Sequence, residues 1–254
     1  MNRDEYKFMK NWESFCEQFL AIRESRNYNL KIKSLIGLMN KNKSNLKPED
    51  YDWITEALLD ERRKRFVVFF LREIIRGMPK KLYQPLIEAA ILEGDSHLNR
   101  KFVELCLKTY GHRKVYNTLY EYIENGSNEE KVGVVRVFGW VKPRLVYPKD
   151  AKDRSFKNAT PESKELYNSV RGLEIRKNYL FLKEFVKNED TDVRRAIIPA
   201  LQLKIEFFPE EVKPLVEQAI EIARAADDEF IKEHVEVRLG NRKVPKPLST
   251  TSKE

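Results

Sequence analysis

Residues 188–201 read Asn188-Glu189-Asp190-Thr191-Asp192-Val193-Arg194-Arg195-Ala196-Ile197-Ile198-Pro199-Ala200-Leu201. Three acids in a short polar turn lead into Val-Arg and then into a segment of alanine, isoleucine and leucine. Carboxylates favour a helix start, where N–H groups lack partners and the helix dipole is positive. The stretch therefore reads as an acidic turn opening a helix. Two further stretches echo one another. Tyr83-Gln84-Pro85-Leu86-Ile87-Glu88-Ala89-Ala90 and Val212-Lys213-Pro214-Leu215-Val216-Glu217-Gln218-Ala219 share x-x-Pro-Leu-(Ile/Val)-Glu-x-Ala, with 129 residues between the two prolines.

Working outward, nearly every apolar set follows the i, i+3, i+4, i+7 helical period. Phe8, Trp12, Phe15, Phe19 and Ile22 make one stripe, and Leu30, Ile32, Leu35, Ile36 and Met39 a second. From Pro48 the helices come in pairs: 48–60 with 62–77, 80–92 with 96–110, and 113–124 with 128–141. Gly94-Asp95, Gly111 and Asn125-Gly126-Ser127 punctuate them. Pair starts recur about every 32 residues, the period of stacked helix hairpins. Two more pairs begin near Arg176 and Pro209.

The acidic turn, the Val-Arg, and the Pro-Leu of the first helices resemble the HEAT-repeat (armadillo-like) family. The resemblance covers most of residues 48–240. It implies an all-α, right-handed superhelical stack of antiparallel helix pairs, a HEAT-like α-solenoid. Such folds have a concave face used to bind other macromolecules, and the fold by itself implies no chemistry. The expected organisation is one helical-repeat domain over 1–240, with capping helices at 1–46, a basic loop insertion at 142–159, and a flexible basic tail at 241–254.

Charged residues make up 35% of the chain and hydrophobic ones 41%, a globular balance. Lys plus Arg number 48 against 40 acids, net +8. Residues 205–240 carry four basic and ten acidic groups, net −6, which leaves +14 on the rest. The two cysteines, Cys16 and Cys106, have no metal-ligand spacing, so neither a disulfide framework nor a metal site is expected. The longest apolar run, Phe66 to Leu71, is far short of the ~20 residues of a membrane span. With no signal-peptide pattern at Met1 to Glu5, the chain reads as cytoplasmic, with no membrane partner. The nucleotide-binding and serine-hydrolase motifs are not found. His97, His112 and His234 lack paired ligand spacing, so no catalytic residue and no cofactor is assigned.

Three constellations stand out. Arg62 to Arg65, Arg100-Lys101, Lys131 and Arg194-Arg195 open successive second helices. They read either as a phosphate-tracking ridge or as a structural ladder, each set following nearby acids; Asp190, Asp192, Arg194 and Arg195 form one rung. Arg136 and Trp140 share a helix face, as a cation–aromatic platform or as an anchor beneath the insertion. The insertion itself mixes Lys142, Arg144, Lys149, Lys152, Arg154 and Lys157 with Tyr147 and Phe156, a local +4 suited to an acidic partner. The function expected is a non-enzymatic protein-interaction scaffold. The alternative is a nucleic-acid binder resembling the HEAT-like alkylpurine DNA glycosylases.

Overall fold

The computed structural model describes residues 3–23, 28–41, 47–74, 79–151 and 153–241, with side chains from residue 12 onward except those of 28, 29, 40, 41 and 74. The Phe8 side chain, residues 42–46, Lys152 and the tail from 242 lie outside the described residues. Among the described residues all regular structure is helical. The helices are α1 (Arg3–Arg23), α2 (Tyr28–Lys41), α3 (Pro48–Leu58), α4 (Lys64–Ile74), α5 (Tyr83–Leu92), α6 (Ser96–Asn125), α7 (Asn128–Val141), α8 (Pro161–Ser169), α9 (Arg171–Lys187), α10 (Thr191–Ile197), α11 (Lys213–Ala225) and α12 (Glu229–Leu239). Their contacts gather into two compact units, residues 1–115 and 116–254. The expected helices 96–110 and 113–124 are one element, α6, broken at Gly111 with φ 78° and ψ 162°. A residue with a Cβ adopts that conformation only under strain.

The first unit is built on aromatic rings. Trp12, Phe15 and Phe19 of the α1 stripe are buried. Trp12 meets Phe70 edge-on at 4.4 Å, and Phe66 lies 5.7 Å from Phe19 and 6.1 Å from Trp53. The run Phe66 to Leu71 is rich in strand-forming residues, yet it is helical. Phe66, Val67, Val68, Phe70 and Leu71 are all buried, so this part of α4 is enclosed nearly all round. One polar knot ties α1 to α3. Buried Asp50 accepts the Trp12 indole N–H at 2.7 Å and the Lys47 backbone N–H at 2.6 Å. Burial raises the Asp50 carboxyl above its ordinary range. Cys16 and Cys106 are free and buried, and burial pushes both thiols to about 12.

Several neighbouring helices pack as antiparallel pairs and also meet helices of the next pair. In the first unit α3 packs on α4 and also on α5. In the second, α9 packs on α10 and α11, α11 on α12, and α10 on both α7 and α12. First helices thus meet first helices, and second meet second. The short α10 ends where Pro199, which has no N–H, enters a 3₁₀ turn. At the far end Gly240, φ 88°, closes α12, and the Asn241 N–H returns to Glu236 O at 2.8 Å.

A cap-and-bridge motif recurs at the second helices. Asp95 Oδ1 accepts the His97 and Leu98 N–H groups at the start of α6, while Oδ2 takes Arg65 of the preceding hairpin at 2.8 Å. Asp228 Oδ1 accepts the Ile231 N–H, and Oδ2 lies 3.4 Å from Arg195 Nε. Asp190 Oδ1 accepts the Val193 N–H, and Oδ2 accepts the Asn128 amide at 3.0 Å. Asn128 and Asp190 stand 62 positions apart, against 30 for Arg65 and Asp95, because the insertion and α8 intervene. More deeply, Lys64 pairs with Glu93 at 2.7 Å and Lys131 with Glu184 at 2.6 Å, all four side chains largely buried.

Two outcomes follow for stability. The Arg65 guanidinium, with the Leu98 and His97 N–H groups, holds the Asp95 carboxyl below its ordinary value. A carboxyl depressed on folding stabilises fully above its unfolded value of about 3.9, and that contribution is lost as the pH falls through the lower folded value. Arg65→Met should therefore cost about 0.5–1 kcal/mol at pH 7, a figure held down by solvent screening at this half-open site. In urea melts at stepped pH, its deficit against wild type should close as the pH falls below the ordinary carboxylate range. Lys131→Ala strands Glu184 in a largely buried position where, among the described residues, the Asn188 side-chain amide still donates to it at 2.7 Å. It should cost about 2–3 kcal/mol in the same melts.

Candidate functional site

The cations at the starts of second helices are mostly engaged. Arg62 and Arg63 reach Glu17 and Glu13 of α1, and Lys64 and Arg65 reach Glu93 and Asp95. Lys131 reaches Glu184, and Arg195 reaches Asp228. Arg194 donates to Phe185 O at 3.2 Å and lies over the Phe185 ring. Asp190 caps α10, and Asp192 is exposed in that helix's first turn. These side chains tie helices together, which leaves few of them open to a ligand.

The insertion is held in place by its own chemistry. Thr160 caps α8, with Pro161 in the first turn, where a missing N–H costs nothing. The Thr160 N–H donates to Val146 O at 2.8 Å, and the Val146 N–H donates to Ser163 Oγ at 3.2 Å. These bonds stitch the loop to the start of α8. Tyr167, one turn on, packs against Phe156 at 5.8 Å and lies beneath the Lys142 ammonium at 5.4 Å. The Tyr147 hydroxyl donates to Arg154 O at 2.9 Å, crossing the loop. A turn at Pro148 and the Ser155 N–H on Asp153 complete the path, and the Ser155 bonds lower the Asp153 carboxyl.

So braced, the loop presents its cations outward. Lys142, Arg144, Lys149, Arg154 and Lys157 are exposed, beside exposed Val146 and Phe156. Trp140 is half-buried, and the Arg144 guanidinium stands 5.6 Å from its ring centroid. The insertion therefore reaches back over the end of α7. Arg136 is exposed on α7, one turn before Trp140 on the same helix face. Sequence reasoning missed Tyr167 and Ser163, which anchor the loop. The available signal was Thr160-Pro161, which marks a helix start hard against the loop and so a partner for it.

The arrangement offers fixed, spaced positive charge with apolar edges. It can attract and orient an acidic segment. Among the described residues no group of His, Cys, Asp and Glu could hold a metal ion, and no helix is long and apolar enough to cross a membrane. Comparison of the chain with protein-family models, with curated proteins and with solved structures finds no match.

If Tyr167 is the loop's anchor, Tyr167→Ala should free the loop and leave the helices intact. Hydrogen exchange should rise across 144–157 by about tenfold or more while α9 and α11 keep their protection. Unchanged exchange in the loop would assign the bracing to the Val146 hydrogen bonds alone.

Proposed function

We propose that the protein is an interaction scaffold, a HEAT-like α-solenoid of stacked helix hairpins that binds an acidic segment of a protein partner. The solenoid reading is supported by the hairpin-to-hairpin packing and the thrice-repeated aspartate cap. The binding reading rests on one observation: the 142–159 loop is pinned to α8 by Tyr167, Ser163 and Thr160 while five of its cations stay exposed. A charged segment held in one conformation loses little entropy on binding, so its charge is available for affinity and orientation. Interleaved Asp150 and Asp153 break the positive run, which suits a short acidic peptide better than a continuous polyanion.

The test is calorimetric titration with a short Glu-rich peptide at low salt, beside a duplex DNA of equal charge. Lys149→Gln with Arg154→Gln should weaken peptide binding about fivefold and flatten its salt dependence. Peptide affinity equal to wild type would remove the loop as the contact. Tighter binding of the duplex, lost in the same variant, would turn the reading to nucleic acid.

A further inference from the structure

A second surface, in the first unit and independent of the loop, carries its own chemistry. α1, α4 and the start of α6 enclose a groove of about 470 Å³. Its floor is apolar: Phe19, Val68, Phe69 and Leu98. Its rim is basic: Arg23 from α1, Arg65 and Arg72 from α4, and Lys101 from α6, against the one carboxylate of Glu73. Not all this charge is equally open. Arg65 is engaged with Asp95 at 2.8 Å, and Arg72 lies 3.4 Å from Glu73. Arg23 and Lys101 are exposed and, among the described residues, in no ion pair. With Arg65 and Arg72 each beside a carboxylate, the excess positive charge is that of Arg23 and Lys101, and an incoming carboxylate offsets it.

We propose that this groove docks an acidic segment of a partner protein, its carboxylates over Arg23, Arg72 and Lys101 and one apolar side chain seated against Phe69. Three features select such an occupant. The volume accommodates a side chain with its flanking backbone, within the range of small-ligand pockets. Phe69 is half-buried and offers apolar surface, which a bare anion would leave unused. The unpaired charge is small: among the described residues only Arg23 and Lys101 of the lining are in no ion pair, which suits a short acidic stretch. The rings also disfavour a stacked base. Phe19 is 4% exposed and stacks on Phe69 at 5.0 Å and 30°, so the two occupy each other.

The experiment uses the full chain carrying Lys149→Gln and Arg154→Gln, so that the loop's contribution is reduced and held constant, and the groove variants are compared on that background. The probe is a fluorescein-labelled Asp/Glu-rich peptide bearing one Leu, followed by anisotropy. Its comparators are the same peptide with Ser for Leu and an oligothymidylate of equal charge. Arg72→Glu with Lys101→Glu, both at exposed positions, should raise the Kd about tenfold or more, and Ser for Leu should weaken binding about fivefold. Phe69→Ala should erase the Leu preference, and its circular dichroism melt will show whether the unit is folded. Equal binding by wild type and the charge-reversed chain would overturn the proposal. So would tighter binding of the oligothymidylate, or a groove-dependent self-association by light scattering that the peptide fails to displace.

Discussion

One carboxylate with two tasks organises the helices. At Asp95, Asp190 and Asp228 one oxygen receives the free N–H groups of its own helix, and the other receives a side chain from the hairpin before. Each bond is weak by itself, about 1 kcal/mol. Its value is direction. Apolar burial between helices is large but non-directional, and it would tolerate a slip along the helix axis. A capped carboxylate cannot slip, because its position is set by the helix it caps. The same residue thereby marks where a second helix begins and which residue of the neighbour it must face.

This division decides which cations are left for partners. Arg65, Arg195, Lys64 and Lys131 sit within a turn of a cap and are drawn to acids of the adjoining hairpin. Lys64 shows the balance: burial lowers its ammonium's tendency to hold a proton, and Glu61 and Glu93 more than restore it. Among the described residues, the outward cations of the 142–159 loop, and Arg23 and Lys101 at the rim of the first-unit groove, are in no ion pair. The tally of 48 basic residues therefore says little about binding, whereas the partner each finds in the fold says much.

The helical period was legible in the sequence because each helix buries one stripe: Trp12, Phe15 and Phe19 sit where their spacing puts them. Punctuation was legible too. Gly94-Asp95 and Ser127 open second helices, and the Ser127–Glu130 capping box is visible as letters. Less legible was α10, expected to run on through Ala200 and Leu201, which Pro199 shortens. The insertion was recognisable as basic and loop-like, yet whether it is anchored depended on Tyr167 and Ser163, beyond its far end. Trp140 carried the same ambiguity. Helical spacing drew attention to Arg136; the Arg144 guanidinium, from the loop, stands over the ring, which no local spacing indicates.

The sequence by itself determined that the chain is helical and where most helices begin, since period and capping residue are local. Only the tertiary structure decided which charges are spent. A side chain's partner lies 30 or 62 positions away, and whether a cation faces a carboxylate or solvent depends on how hairpins stack. The first-unit groove shows the same dependence. Its four cations come from three helices spread over residues 23 to 101, and no local pattern in the sequence joins them.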